Sequence, residues 1–291
     1  MTVRTCFILC LVFAAPQVAA AERPLRIGVS IAPQAWLVER LAGQPVEVET
    51  MVRPGQSPAT MDPTPRQMAA LARVVAYIRI GVPFERGFIE RLRRNRPQLP
   101  IVDQRQGVAL LTRDGRALKP GADPIAADPH IWIDPGRLSR QANTVARALR
   151  DLAPQRAAAI EARRRRLVAE LDRLDRRIGR LLGPLRGRSL FVFHPAYGYF
   201  AEAYGLVQVA VQTGGKEPSA RQLARLIERA RRAKARVIFV QPQYSRKSAE
   251  LVAEAIGGAV VELDPLAPDV LDNLRRVAER VAQAFGRRSP H

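Results

Sequence analysis

Cysteine is almost missing from this sequence, and histidine is scarce. The only two cysteines among 291 residues, Cys6 and Cys10, lie close to the start of the chain. The rest of the protein therefore has no disulfide, no thiolate metal ligand and no cysteine nucleophile. Beyond the first 21 residues no apolar stretch is long enough to cross a bilayer as a helix. Any metal-binding or catalytic site must use nitrogen and oxygen groups.

Residues 1–21 have the pattern of a secretory signal peptide. Arg4 supplies the positive charge, residues 6–15 form a short apolar core, and three alanines precede Glu22 as a small-residue cleavage site. The apolar core is too short to span a membrane. We therefore expect cleavage near Ala21 and an exported, periplasmic mature protein.

The chain is strongly basic, with a formal charge of +20 carried mainly by arginine. Such a balance can indicate binding to nucleic acid or to anionic membranes. Here the arginines are spread over predicted helix faces and no aromatic residues alternate with them. We interpret the charge as a solvated surface, with weak attraction to anionic membranes as a side effect, and expect no nucleic-acid partner.

Residues 22–153 alternate between strand and helix patterns, which predicts a parallel sheet with helices on its faces. The predicted strands cover residues 25–31, 46–52, 74–80 and 101–103. The predicted helices cover residues 33–41, 66–73, 84–95 and 137–152. Two loops interrupt this first lobe, a Pro- and Gly-containing one at 53–65 and a longer surface loop at 104–127.

Residues 154–183 form the longest periodic segment of the chain. Pro154 suits a first helical turn, and Gly183 followed by proline ends the pattern. One apolar stripe consists of Ile160, Leu167, Leu171, Leu174, Ile178 and Leu181. We predict a helix of roughly 43 Å at 1.5 Å per residue, long enough to bridge two lobes. A coiled-coil dimer is the alternative, but no second segment matches this one, so we expect a monomer.

The alternation resumes in residues 184–291 and predicts a second lobe of the same kind. Its strands are expected at 189–193, 206–211, 236–241 and 259–263. Its helices are expected at 196–204, 220–233, 246–256 and 270–285, with Ser219 and Ser245 as N-caps. The predicted fold is therefore α/β, with two parallel-sheet (βα)4-like lobes bridged by one long helix.

The most unusual short segment is residues 128–135, which read D-P-H-I-W-I-D-P. Each Asp-Pro step favours a rigid turn, so His130 is held on a stiff segment with Asp128 and Asp134 nearby. This arrangement suits a metal ligand, because a neutral imidazole can bind a cation while a carboxylate fixes its tautomer. The alternative is a structural histidine that hydrogen-bonds a backbone carbonyl.

Two further residues complete a possible metal site. The chain has three histidines, and the third, His291, is the last residue of the sequence. His194 directly follows a strand-like apolar run. Asp264 follows the last predicted strand, and ligands of parallel sheets gather beyond the carboxyl ends of strands. The candidate ligands are therefore His130, His194 and Asp264. Two imidazoles and a carboxylate suit Zn²⁺, or Mn²⁺, better than Ca²⁺ or Mg²⁺.

These segments, in this order around a long central helix, resemble the periplasmic solute-binding proteins of zinc and manganese ABC importers. The resemblance spans the mature chain and includes F-H-P-A-Y-G-Y-F at 193–200, L-D-P-L at 263–266 and G-V-P-F-E at 81–85. It implies a metal ion as transported ligand, bound between two lobes by His130, His194 and Asp264. It also implies delivery to an ABC permease.

The chain departs from that family pattern at two positions. Members usually carry a histidine in the early loop where this chain has Ala59, and often a glutamate where it has Gln241. The resemblance then implies three protein ligands, with water or an oxygen of Asp62, Gln241 or Gln212 completing the shell.

Two other function classes remain open. The first is a binding module of the same fold that has lost metal binding and recognises another ligand or a protein partner. A zinc-dependent hydrolase is the second, because two histidines, an aspartate and a water resemble an open catalytic site. The sequence offers no general base next to those histidines, so we expect a binding protein and not an enzyme.

Overall fold

The computed structural model of the chain describes residues 24–119, 121–123, 127–212 and 219–286. Two α/β lobes, each built on a four-stranded sheet, follow one another in the chain. The predicted signal peptide lies outside the described residues. Among the described helices, none is both long enough and apolar enough to cross a membrane.

The first lobe is a parallel sheet with helices between its strands. Its strands are Leu25–Val29 (β1), Val46–Thr50 (β2), Ala76–Arg79 (β3) and Ile101–Asp103 (β4). Its helices are Ala32–Ala42 (α1), Pro65–Ala70 (α2), Glu85–Asn95 (α3) and Pro135–Leu152 (α4). The strand order is β2-β1-β3-β4, and all neighbours are parallel. The predicted alternation of strands and helices is confirmed.

The long helix Ala157–Leu182 (α5) connects the lobes and continues at both ends into 3-10 turns, so that helical backbone runs from residue 154 to 185. Its 26 residues span about 39 Å.

The second lobe repeats the plan of the first. Its strands are Ser189–Val192 (β5), Val207–Ala210 (β6), Val237–Val240 (β7) and Ala259–Glu262 (β8). Its helices are Gly198–Tyr204 (α6), Ala220–Arg232 (α7), Lys247–Ala255 (α8) and Val270–Gly286 (α9). The order β6-β5-β7-β8 is again fully parallel. In both sheets the strand order reverses between the two central strands, which is where α/β proteins bind ligands.

The apolar stripe of α5 packs inside the molecule, against α1, α4 and α9. Its buried members are Ile160, Leu167, Leu171, Ile178 and Leu182. The sequence prediction of Leu181 was wrong, since that side chain is 39% exposed and Leu182 is fully buried. The reason is the helical period of 3.6 residues. Leu182, four residues after Ile178, lies closer to the buried stripe than Leu181, three residues after it. The apolar stripe that suggested a coiled-coil dimer is thus buried against other helices of the same chain.

One of the two predicted helix caps is confirmed and the other is corrected. The hydroxyl of Ser219 accepts a hydrogen bond from the backbone N–H of Gln222, at 3.4 Å, and caps α7. Ser245 does not cap α8, because Arg246 occupies the N-cap position with helical dihedral angles. The Ser245 hydroxyl instead accepts from the N–H of Lys247 at 3.3 Å.

The two lobes touch directly through buried side chains. The indole N–H of Trp132 in the first lobe donates to the carbonyl of Pro265 in the second, at 2.6 Å. The hydroxyl of Tyr199 at the start of the second lobe donates to the carbonyl of Asp128 at 2.7 Å. A β-carbon built on Gly198 would lie 2.9 Å from the carboxylate oxygen Oδ2 of Asp128. The lobes approach so closely at this point that only glycine fits without a shift.

We predict that Gly198→Ala destabilises the protein by roughly 1–3 kcal/mol, because the added methyl group overpacks the contact with Asp128. Urea unfolding of the metal-free protein measures the change. Gly179→Ala is the matched control, since Gly179 lies in α5 with open space around it. There the substitution should stabilise the helix by about 0.5–1 kcal/mol. Equal effects of the two changes would contradict the close approach of the lobes.

Candidate metal centre

His130 is held by the carboxylate of Asp128, as the sequence led us to expect. Asp128 Oδ1 accepts from the backbone N–H of His130 at 3.0 Å and lies 2.5 Å from its ring nitrogen Nδ1. A carboxylate at Nδ1 requires the proton there, so Nε2 keeps its lone pair in the neutral ring. Asp134 does not share this role. It caps α4 by accepting from the N–H of Arg137 at 2.9 Å.

His194 lies two residues beyond the end of β5 and is held in the same manner. Its Nδ1 lies 2.7 Å from the side-chain oxygen of Gln212, so its Nε2 is also the unprotonated nitrogen. The side-chain amide of Gln241 makes two hydrogen bonds to the backbone of His194. It accepts from the N–H at 3.0 Å and donates to the carbonyl at 3.1 Å. Burial, reinforced by the neighbouring His130, lowers the pKa of His194 to about 4. The ring is therefore neutral at pH 7.

The two imidazoles meet in the cleft, one from each lobe. Their ring centroids are 5.3 Å apart and their planes are nearly perpendicular, at 75°. Two imidazoles bound to one tetrahedral zinc, with Zn–N distances of about 2.0–2.1 Å, have centroids about 5 Å apart. The spacing of His130 and His194 thus matches a shared metal ion.

Asp264 lies beyond the end of β8, next to the residue that bonds Trp132. Its Oδ1 accepts from the side-chain amide of Gln243 at 2.8 Å and from the N–H of Leu266 at 2.9 Å. In the part of the chain that is described, no three His, Cys, Asp or Glu side chains converge closely enough to hold an ion. The structure therefore brings together the two histidines, while Asp264 stays a predicted ligand on the neighbouring segment.

The oxygen candidates for the remaining position have other partners. Gln241 is fully buried against the backbone of His194, and the side-chain oxygen of Gln212 faces the Nδ1 of the same ring. The side chain of Asp62 is 90% exposed and pairs with Arg91 at 3.6 Å. Ala59 is exposed on the same loop. Of the three candidates, Gln212 and Gln241 are thus bonded to His194, and Asp62 is turned to solvent.

Sequence reasoning missed two residues that follow β7. The ring of Tyr244 stacks on His194, with centroids 4.7 Å apart and planes at 21°. Its hydroxyl lies 3.3 Å from the hydroxyl of Ser57, in the early loop of the other lobe. Gln243 holds the carboxylate of Asp264. Their position in the sequence could have indicated both residues. They follow β7, which lies next to β5 at the point where the strand order reverses.

A chain of buried amides supports His130 from within the first lobe. The amide nitrogen of Gln34 donates to the oxygen of Gln104, whose nitrogen donates to the oxygen of Gln141, each at 2.8 Å. Gln141 in turn donates to the carbonyl of Ile131, next to His130, at 2.9 Å. Because all three glutamines are buried and every link is made, this chain of amides fixes the backbone next to His130.

The sequence from residue 27 to 284 matches the family model described as ZnuA, zinc-uptake complex component A, periplasmic. The chain belongs to this family. The resemblance expected from the sequence motifs is thereby confirmed.

Solved structures and curated relatives agree with this assignment. A crystal structure of ZnuA superimposes with a TM-score of 0.84 at 38% identity, covering 90% of this chain and 99% of that one. A putative metal-binding protein of Chlamydia trachomatis is 25% identical over 258 residues, 88% of this chain and 90% of its own length. The high-affinity zinc uptake system protein ZnuA of Yersinia pestis is 31% identical over 144 residues, 49% of this chain and 45% of its own. The ZnuA-type two-lobe fold is thus shared over nearly the whole chain.

Proposed function

We propose that this protein captures a divalent transition metal, zinc in the first place and manganese in the second, and delivers it to an ABC permease. The ion is cargo, bound in the periplasm between the lobes by His130, His194 and Asp264. The protein acts as a monomer without catalysis. Residues 22–153 and 184–291 form the two lobes and residues 154–183 the bridge.

The observation that carries this proposal is the matched state of the two imidazoles. Each has an oxygen acceptor at Nδ1, which in the neutral ring leaves the lone pair on Nε2, and the rings come from opposite lobes at 5.3 Å. Neutral imidazole is the form that binds zinc, and outer hydrogen bonds of this kind orient metal-bound histidines. Relatives of similar sequence carry the names zinc uptake protein and metal-binding protein, which supports the same reading.

Asp264 is the third proposed ligand because its segment lies against that of His130. The bond from Trp132 to Pro265 places the two segments in contact, and a carboxylate adds the charge that favours a divalent cation. The two hydrogen bonds to Asp264 described above both use Oδ1. We propose that Oδ2 turns to the metal and that water fills the fourth position.

The absence of a ligand at Ala59 favours a second candidate function, a module of the same fold that has given up metal. Thermal stability distinguishes the two. We predict that zinc at a hundredfold excess over its Kd stabilises the protein by about 2.7 kcal/mol and that a chelator reverses this. A melting temperature indifferent to zinc, with no zinc in protein purified without an affinity tag, would support the metal-free module. Turnover of ester or phosphate substrates would instead indicate a hydrolase.

The same assay tests the ligands, with His130→Ala and His194→Ala. At the same zinc concentration each should reduce the zinc-dependent stabilisation from about 2.7 to about 0.4 kcal/mol, because losing one of four ligands removes about 3 kcal/mol of binding free energy, on the order of 100-fold in affinity. The metal-free variants should remain folded. His291→Ala is the matched control, since it removes the remaining histidine and should leave the zinc response unchanged. Loss of folding without zinc would mark either residue as a structural histidine.

We further predict that Ala59→His tightens zinc binding by ~10-fold to ~100-fold, since a fourth protein ligand replaces water. The early loop reaches the site, because Ser57 contacts the residue that stacks on His194. Competition with a chelator of known affinity measures the gain. Ala69→His is the control, because Ala69 lies in α2 and is exposed. Equal affinities of the two variants would show that residue 59 faces away from the ion.

A further inference from the structure

The side chain of Tyr244 contacts a proposed metal ligand and the early loop of the opposite lobe at the same time. Its ring lies on the face of His194, at 4.7 Å between centroids and 21° between planes. Its hydroxyl reaches the hydroxyl of Ser57 at 3.3 Å. The tyrosine therefore connects the ligand of the second lobe to the loop of the first lobe.

The backbone around Tyr244 is held by the same short segment that supports both ligands of the second lobe. Gln241 is bonded to the N–H and the carbonyl of His194, and Gln243 is bonded to the carboxylate of Asp264. The N–H of Tyr244 donates to the carbonyl of Gln241 at 3.1 Å, which closes a turn. The position of the Tyr244 ring is thus tied to both proposed ligands, so that a shift of His194 or Asp264 would also move the ring.

The contact between the hydroxyl groups is longer than the deeper link between the lobes. At 3.3 Å it is roughly half an ångström longer than the usual O–H···O distance, so it is a weak bond at the present separation of the lobes. The deeper link between the lobes, from Trp132 to Pro265, measures 2.6 Å and is fully buried. The loop can therefore lift from Tyr244 while the lobes stay joined below it.

We propose that Tyr244 is a positioning residue that controls how long the metal is retained. Its ring holds the plane of His194, and its hydroxyl fastens the early loop over the cleft through Ser57. In this chain, which lacks a ligand at Ala59, that fastening is what keeps the loop over the ion. The proposal rests on the function proposed above, and its test separates the two.

The test compares zinc dissociation rates in stopped-flow mixing with excess chelator, for wild type, Tyr244→Phe, Ser57→Ala and the double variant. Tyr244→Phe keeps the stacked ring and loses only the hydroxyl. Each single change should accelerate dissociation by about 2- to 10-fold, the effect of one neutral hydrogen bond. The Ser57 hydroxyl also accepts from the N–H of Ala59 at 3.2 Å, so Ser57→Ala should have the larger effect of the two. Because both changes break the bond between Ser57 and Tyr244, the double variant should dissociate no faster than Ser57→Ala.

Tyr204→Phe is the matched control. The hydroxyl of Tyr204 bonds Asp175 of α5 at 2.8 Å, outside the cleft. Removal of this hydroxyl should lower the free energy of unfolding and leave the zinc dissociation rate unchanged. The control therefore separates an effect on dissociation from a general loss of stability. Rates for Tyr244→Phe equal to wild type, or single effects that multiply in the double variant, would overturn the proposal.

Hydrogen exchange of the metal-free protein distinguishes failure of this proposal from failure of the metal-binding function. Tyr244→Phe should raise amide exchange in residues 53–62 by about 2- to 10-fold over wild type, and Tyr204→Phe should not. If wild type takes up no zinc and this rise is seen, the fastening of the loop stands and the metal function is wrong. If the exchange of the loop is unchanged, the fastening itself is wrong.

Discussion

The hydrogen bond from the indole of Trp132 to the carbonyl of Pro265 is the contact on which the arrangement of the cleft depends. Trp132 is two residues from His130, and Pro265 directly follows Asp264, so one bond sets the separation of the two segments that carry these proposed ligands. The indole is 1% exposed, and leaving its N–H unsatisfied would cost about 1–3 kcal/mol. Together with the bridging helix α5, which packs against both lobes, this bond favours a cleft that changes little in width.

Within that frame the two imidazoles are held in place by hydrogen bonds. The carboxylate of Asp128 and the amide oxygen of Gln212 select the tautomer of the neutral rings, and the amide chain ending at Gln141 holds the backbone next to His130. Burial keeps His194 neutral, so binding does not require a proton to leave it. Preorganisation of this kind lowers the entropic cost of binding, and it would compensate in part for the small number of protein ligands in the proposed site.

The fold was predictable because hydrophobic periodicity determines it. The β7 and β8 strands and the helix α3 lie within a residue or two of their predicted bounds, since buried apolar runs and amphipathic stripes are local features of the sequence. The histidines were predictable because they are scarce and follow prolines or strand ends. Leu181 and Leu182 were confused because spacings of three and four residues are both compatible with one helical face.

The supporting residues were not predictable in the same way. Gln243 and Tyr244 are ordinary loop residues in the sequence, and their roles arise from neighbours brought close by the parallel sheet and by the opposite lobe. Gln212 and Gln241 were expected to offer oxygen to a metal, yet tertiary contacts direct them to the imidazole and backbone of His194. Hydrogen-bond partners distant in sequence depend on packing and not on local pattern.

X-ray absorption spectroscopy of the one-to-one zinc complex tests the central claim most directly. The account predicts two imidazole nitrogens at about 2.0–2.1 Å and one or two oxygens at about 2.0–2.2 Å. One imidazole should disappear from the spectrum of His194→Ala, if that variant is loaded at high zinc concentration. A shell of oxygens without imidazole scattering, or a spectrum unchanged by His194→Ala, would contradict the account.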